Sequence, residues 1–154
     1  MKFGITKSYI EWLGNTRTSL FGVMVAQIWQ FYPFAMITML AGMQSIPEDI
    51  FEAARVDGAN EMQLIRYITI PQLFQVIKII IILICIWSIN AFDIVFVMTR
   101  GGPLHSSELL AMRIYMYAFE DGKFGMAAAT AIVAFIITLI FVTIYLRVFR
   151  VGEE

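Results

Sequence analysis

The sequence predicts an all-α membrane protein with three transmembrane helices. Of its 154 residues, 60% are hydrophobic and 15% are charged, whereas soluble domains are about 45–50% apolar and about 25% charged. The mean hydropathy is +0.77, and the apolar residues are concentrated in three long runs. A soluble fold of this composition would have too little polar surface to cover itself, so the membrane class is favoured.

The first and last apolar runs, residues 19–43 and 125–146, contain no charged residue. At about 1.5 Å per residue, each helix is long enough for a hydrocarbon core of about 30 Å. Helices are expected because backbone polar groups in lipid must be satisfied within the segment. Pro33 lies inside the first run and is expected to kink the helix rather than end it.

The middle run, residues 74–98, is the least clean because it carries Lys78 and Asp93. Lys78 lies near its start, where a long side chain can extend to the membrane interface. The third run contains small residues at helical spacing, Ala127, Ala131 and Ala134. Such a stripe lets another helix approach closely, so this face is predicted to pack against protein.

Three spans place the N-terminal segment and the second loop on one side, opposite the first loop and the C-terminal tail. Lysines and arginines are divided almost equally between the two sides, so the positive-inside rule does not set the orientation. The N-terminus has no apolar region of the signal-peptide type. The predicted segments outside the bilayer are 1–18, 44–73, 99–124 and 147–154.

The loop 44–73 is predicted to form two short helices. Pro47, followed by two acidic residues, is typical of a first helical position. Gly58 suits the left-handed conformation after a helix, and Asn60 with Gln63 forms a capping-box pattern for a second helix. Pro71 is expected to close that second helix. From physics alone, an interfacial hairpin that merely links two spans remains an alternative to a functional site.

The pattern in this loop closely resembles the EAA signature of ABC importer permeases. Glu52-Ala53-Ala54 is followed by Asp57-Gly58-Ala59 and then by Ile68-Thr69-Ile70-Pro71, with Ile70 where the family has leucine. The preceding run LAGMQSIP (40–47) is similar to the LAGLQSIP of sugar-type permeases, and TRGGP (99–103) resembles their T-x-GGP loop. The resemblance covers essentially the whole chain and indicates the carbohydrate and glycerol-phosphate class, the family of the maltose transporter's membrane subunits.

The resemblance implies that the loop 44–73 is cytoplasmic and docks into a cleft on an ATPase subunit. Glu52 would supply a polar contact, the alanines a flat packing surface, and Gly58 the turn. Segments 1–18 and 99–124 would be extracytoplasmic, and the tail 147–154 cytoplasmic. The implied ATPase-coupling residues are Glu52, Ala53, Ala54, Asp57, Gly58 and Ala59.

The same resemblance implies a multi-pass subunit of the cytoplasmic (inner) membrane that imports sugars or related polyols. Its partners would be an ATP-binding ABC subunit, a second permease subunit, an extracytoplasmic substrate-binding protein and the lipid bilayer. Family members carry about six core spans, with the EAA motif between the fourth and fifth. This chain would therefore correspond to the C-terminal half, and three helices alone are not expected to build the translocation path.

Five residues in or near the spans are candidates for the translocation path: Gln27, Gln30, Trp87, Asn90 and Asp93. An acidic residue at the bilayer centre costs about 2.5–3.5 kcal/mol, so it normally faces protein or water. Hydrogen bonding between helices is the alternative for the polar residues. For Trp87, stacking on a sugar ring competes with a place in the core or the interfacial belt.

Other functional classes find little support in the sequence. His105 and Glu108 are spaced like a metal pair but lack further ligands, and no catalytic residues are predicted. There is no phosphate-binding glycine loop, so ATP hydrolysis is expected from a separate subunit, and no cofactor is expected. No basic stripe suggests nucleic acid. The remaining alternative is a membrane-embedded enzyme or assembly factor whose loop is only a linker.

Overall fold

The structure is a computed structural model, and it describes residues 11–149; the outermost parts of the predicted terminal segments, 1–10 and 150–154, lie outside this range. Within it, every regular element is helical, which confirms the predicted all-α class. The elements are α1 (Ser19–Gln44), α2 (Glu48–Val56), α3 (Glu61–Leu64), the π-helical segment π1 (Ile65–Thr69), α4 (Ile70–Ile89), α5 (Asp93–Met98), α6 (Leu110–Tyr115), the π-helical segment π2 (Met116–Glu120) and α7 (Phe124–Phe149).

Three stretches of helix are long and apolar enough to cross a membrane: Ser19–Gln44, Glu61–Ile89 and Phe124–Phe149. Their outward side chains are large and apolar. Trp29 on α1 is 80% exposed and Phe135 on α7 is 66% exposed, and such surfaces are stable only in contact with acyl chains or another protein. The predicted number of spans agrees with this arrangement.

Helix α1 continues through Pro33, as predicted. Proline has no N–H to donate to the carbonyl four residues earlier, and the turns that follow keep their own bonds. In the turn after Pro33, Thr38 Oγ1 donates to the Phe34 carbonyl at 2.8 Å.

The prediction that Pro71 closes a short helix is wrong, because helical structure continues from Glu61 to Ile89. The wide turn of π1 precedes Pro71, and the Ile70 N–H bonds five residues back to the Ile65 carbonyl. In an α-helix the Pro71 ring would clash with the carbonyl of residue 67. A π turn at this point relieves that clash and lets the helix continue.

The second span ends earlier than predicted. Helix α4 stops at Ile89 and α5 begins at Asp93, whereas the sequence predicted one span over 74–98. Between them, the Phe92 N–H bonds to the Asn90 carbonyl at 2.8 Å. Asparagine favours such local turns over a helix interior, and the Asp93 carboxylate is favourably placed in the first turn of α5.

The contacts divide the described chain into two compact units, the first formed by residues 11–29 and Ser88–Ile136. Its core is Val23, Val95 and Met112, each at most 1% exposed. Ser19 Oγ lies 2.8 Å from Ser106 Oγ, so the start of α1 is joined to the loop before α6.

The second unit is formed by Gln30–Trp87 and residues 137–149. A Cβ at Gly42 would lie 2.9 Å from Leu73 Cδ2 and 3.1 Å from Val76 Cγ2, so glycine allows the end of α1 to approach α4 closely. Lys78 is 7% exposed and donates to the Phe149 carbonyl at 3.1 Å. Its side chain is therefore held against the end of α7, and its extension to the membrane interface stays a prediction.

The small-residue stripe of α7 lies on its less exposed face. Ala127 is 6% exposed, and Ala131 and Ala134 are half-buried, whereas Ile132 and Ile136 are exposed. This pattern supports the predicted packing face.

Replacing Ala131 with leucine should destabilise the chain by about 1–3 kcal/mol, because the larger side chain overfills a packed face. Ile137→Leu is the matched control, since Ile137 is 46% exposed on the same helix. Thermal unfolding of both variants in detergent measures the difference. Equal unfolding midpoints for the two would contradict the packing face.

Candidate functional site

Helix α2 begins at Glu48, with Pro47 in the preceding N-cap position rather than at the predicted first helical position. The backbone of Pro47 is extended, at φ −58° and ψ 135°, and assignments of a helix end commonly differ by one residue. Two acidic residues lie in the first turn and Arg55 in the last. The acidic residues at the start and the arginine at the end complement the helix dipole, and they stabilise a helix of only two to three turns.

Gly58 ends α2 in a Schellman motif. The Gly58 N–H donates to the Arg55 carbonyl at 3.0 Å, and the Ala59 N–H donates to the Ala54 carbonyl at 2.9 Å. The φ of Gly58 is +85°, which confirms the predicted left-handed conformation. These two bonds satisfy carbonyls that the end of the helix would otherwise leave unpaired.

A capping box starts the next helix immediately afterwards, as predicted. The Gln63 N–H donates to Asn60 Oδ1 at 2.9 Å, and the Asn60 N–H donates to Gln63 Oε1 at 2.8 Å. Only Gly58 and Ala59 lie between Asp57, the C-cap residue of α2, and Asn60, the N-cap residue of α3. We name residues 47–64 the coupling hairpin, after the role that the resemblance implies. Its turn is held by two backbone hydrogen bonds and by two hydrogen bonds between side chain and backbone.

The outer surface of the coupling hairpin is open. No residue of α2 is buried, and Glu52 and Ala53 are exposed while Ala54 and Ala59 are half-buried. Within residues 11–149, the acidic partner of Arg55 is Glu61 at 3.8 Å, and Glu52 forms no ion pair. The Glu52 carboxylate is thus available to another protein beside two small side chains.

A groove of about 360 Å³ follows the turn of the coupling hairpin. Three of its residues, Leu64, Tyr67 and Ile68, were not among the predicted coupling residues, although Ile68 belongs to the motif; Tyr67 is 69% exposed. Their spacing of three and four residues would have indicated a common helix face. The lining residues are Ala54, Asp57, Gly58, Ala59, Gln63, Leu64, Tyr67 and Ile68.

The predicted path residues are divided between the two units of the chain. Gln27 is half-buried in the first unit, and its Nε2 is buried without a hydrogen-bond partner. Asn90 and Asp93 belong to the same unit and are exposed. In the second unit, Gln30 is exposed and Trp87 is 40% exposed.

The Trp87 ring packs against two phenylalanines of α1. Its centroid lies 5.6 Å from that of Phe31 and 4.9 Å from that of Phe34, the latter edge to face. Such pairs stabilise helix packing by about 0.5–1.5 kcal/mol beyond the buried area. This geometry favours the core interpretation of Trp87 over sugar stacking.

The loop after α5 is built around the buried carboxylate of Glu108, which the sequence paired with His105 but did not predict as a metal site. The Glu108 side chain is 6% exposed, forms an ion pair with Arg113 and lies within hydrogen-bond distance of His105 Nδ1. Ser107 Oγ donates to the Gly102 carbonyl at 2.7 Å, closing the glycine-rich turn. Among the described residues, no group of three His, Cys, Asp or Glu side chains could hold a metal ion.

Comparison with known proteins identifies a family. The sequence profile of the family described as "Binding-protein-dependent transport system inner membrane component" matches residues 3–151. The trehalose/maltose transport system permease protein MalF of Thermococcus litoralis is 35% identical over 147 residues, covering 96% of this chain and 50% of that protein. The xylose/arabinose import permease protein XacH of Haloferax volcanii is 36% identical over 131 residues, covering 84% of this chain and 41% of the relative.

Solved structures share the fold. A bacterial ABC transporter involved in the import of the acidic polysaccharide alginate matches with a TM-score of 0.85 at 21% identity, over 97% of this chain and 53% of that chain. A structure of a bacterial alginate ABC transporter in complex with an alginate pentasaccharide-bound periplasmic protein matches with a TM-score of 0.80. The chain spans about half the length of the relatives that it matches.

The matched region includes all three apolar helices and the coupling hairpin. It also includes the loop around Glu108. This chain belongs to the family of binding-protein-dependent transport system inner membrane components, the multi-pass permeases of ABC transporters.

Proposed function

We propose that this chain is the C-terminal transmembrane half of an ABC importer permease and that its coupling hairpin transmits closure of an ATPase subunit to the membrane helices. The observation that carries the proposal is an exposed, doubly capped hairpin that continues directly into a transmembrane helix. An exposed, rigid hairpin with small side chains and exposed carboxylates, Glu52 among them, fits a cleft on a partner protein.

Motion of the coupling hairpin would be transmitted into the second span. Helical structure is continuous from Glu61 to Ile89, so a push on α3 moves the start of α4. On the other side of the hairpin, α1 ends at Gln44 and is packed against α4 through Gly42. Both ends of the coupling hairpin are therefore anchored to the same helix.

Two contacts support the proposed sidedness of the loops. Ser19 joins the start of α1 to the loop that contains Ser106, and Lys78 joins the end of α7 to the start of the second span. The first pair joins Ser19, directly after the segment 1–18, to the segment 99–124, and both segments are proposed to be extracytoplasmic. The second pair lies beside the loop 44–73, proposed to be cytoplasmic with the tail 147–154.

The proposed cargo is a sugar or a related polyol, since the relatives include permeases named for trehalose, maltose, xylose and arabinose. An ATP-binding ABC subunit, a second permease subunit and an extracytoplasmic substrate-binding protein complete the proposed transporter. Gln27, Gln30, Asn90 and Asp93 are proposed to line its path. The partnerless amide of Gln27 and the exposed Asp93 carboxylate are groups that a sugar hydroxyl can satisfy.

Single cysteines at Met62 and Leu104 should react with a membrane-impermeant maleimide from opposite sides of the membrane. The two native side chains are 71% and 88% exposed, so accessibility is not limited by packing. The background carries Cys85→Ala to remove the free native thiol. In intact cells the Leu104 position should be labelled and the Met62 position should be labelled only after lysis. Labelling at the Met62 position before lysis would overturn the proposed orientation.

Gly58→Asp should leave the permease in the membrane but lower uptake and weaken retention of the ATPase subunit. A Cβ at Gly58 meets nothing within 4 Å in this chain, so the added side chain projects outward at the docking surface. Loss of the left-handed glycine adds about 1 kcal/mol of strain. Gly58→Asn separates the effects, because asparagine tolerates the left-handed conformation without adding a charge.

Glu52→Lys should act in the same direction more mildly, because a charge reversal at a wet interface is partly screened. Glu120→Lys is the matched control, since Glu120 is exposed on the proposed opposite side. Co-purification with the ATPase subunit and ATP-dependent uptake are measured together. Normal values for both Gly58→Asp and Glu52→Lys would reduce the coupling hairpin to a linker.

A further inference from the structure

Lys78 is a buried cation within an otherwise uncharged helix. It is the one charged residue of α4, and it is 7% exposed. Its Nζ donates to the Phe149 carbonyl at 3.1 Å and lies 5.0 Å from the centroid of the Phe74 ring. Because an unpartnered buried ammonium is costly, these contacts fix the position of Lys78 relative to the end of α7.

A second hydrogen bond joins the same two helices in the opposite direction. The hydroxyl of Tyr145 donates to the backbone carbonyl of Lys78 at 2.8 Å, and Tyr145 is 7% exposed. The Tyr145 and Phe149 rings are 4.6 Å apart. Each helix thus supplies one side chain that binds the backbone of the other within a single turn of α7.

The chemistry explains why a lysine serves here. The carbonyls toward the C-terminal end of a helix carry the negative end of the helix dipole. An ammonium group pairs with such a carbonyl through a charge-assisted bond, which is stronger than a neutral one. The Lys78 carbonyl can accept the Tyr145 hydroxyl because a carbonyl oxygen has two lone pairs.

We propose that Lys78 and Tyr145 are positioning residues that make α7 follow α4 when the coupling hairpin moves. We name this pair of bonds the α4–α7 clamp. The clamp lies on the helix that begins at Glu61 in the coupling hairpin and passes through π1 and Pro71. Without it, motion delivered to α4 would not be shared by the end of α7. The inference rests on the coupling function proposed above.

The two bonds of the clamp would also be needed if they only stabilised the fold, so the experiment must detect coupled motion of the coupling hairpin and α7. Two single-cysteine reporters serve in the assembled transporter, in the Cys85→Ala background. Met62→Cys reports on the coupling hairpin, and Val148→Cys, where valine is 67% exposed, reports on the end of α7. The rate of maleimide labelling is measured at each reporter without nucleotide and after trapping with magnesium-ATP and vanadate.

Trapping should change the labelling rate at both reporters when the clamp is intact. Lys78→Met keeps the apolar stem and removes the ammonium, so the response at Val148→Cys should fall about ten-fold, the effect of losing one charge-assisted hydrogen bond. The response at Met62→Cys should persist. Lys78→Arg should restore the α7 response because a charged donor is retained, and Tyr145→Phe should reduce it about five-fold.

Matched controls remove similar groups elsewhere. Lys123→Met deletes an exposed ammonium that pairs with Asp121 at 3.1 Å, and Tyr32→Phe deletes the hydroxyl of a 58% exposed tyrosine. Neither should alter the response of either reporter. The clamp is contradicted if the α7 response is unchanged in both Lys78→Met and Tyr145→Phe. It is also contradicted if Tyr145→Phe reduces the response equally at the Met62→Cys and Val148→Cys reporters. Absence of any nucleotide response at Met62→Cys in the otherwise unaltered transporter would instead overturn the proposed coupling function.

Discussion

Backbone hydrogen bonding in the bilayer is the constraint on which the rest of this structure depends. An N–H or C=O group without a partner in lipid costs several kcal/mol, so each apolar run must be helical. Within the helices, threonine side chains add hydrogen bonds to backbone carbonyls. Thr38, Thr130 and Thr143 each donate a hydroxyl to the carbonyl four residues earlier, at 2.8 Å.

The same constraint accounts for the irregular parts of the second span. Pro71 removes one donor, and π1 changes the bonding register so that helical structure continues. At the far end of α7, Lys78 donates to the carbonyl of Phe149. The distinctive features of this span are therefore solutions to one physical problem, and they place the clamp on the helix that leads from the coupling hairpin.

The coupling hairpin lies between two spans, and there the helix caps hold a turn rather than a continuous helix. Two bonds of the Schellman motif and two of the capping box hold the turn around Gly58 with few buried side chains. Its outer surface therefore remains free for a partner while the backbone stays rigid. A flexible loop of the same length would absorb a partner's motion rather than transmit it.

The sequence predicted the features that depend on local chemistry. Long apolar runs predicted the three spans. Gly58, Asn60 and Gln63 predicted the turn, because capping depends on neighbouring residues alone. It failed at Pro71, where a local helix-ending signal was overridden by a π turn. The partner of Lys78 depends on a contact between distant segments, which no spacing rule reveals.

The central claim is that the coupling hairpin binds the ATPase subunit of a transporter. A photo-activated cross-linking residue at Ala53, which is exposed on α2, tests it most directly. We predict a covalent product that contains the ATPase subunit and changes in yield with ATP, while the same residue at Leu104 yields no such product. If the Ala53 position gives no ATPase adduct in the assembled transporter, or if Leu104 gives the same adduct, the account is contradicted.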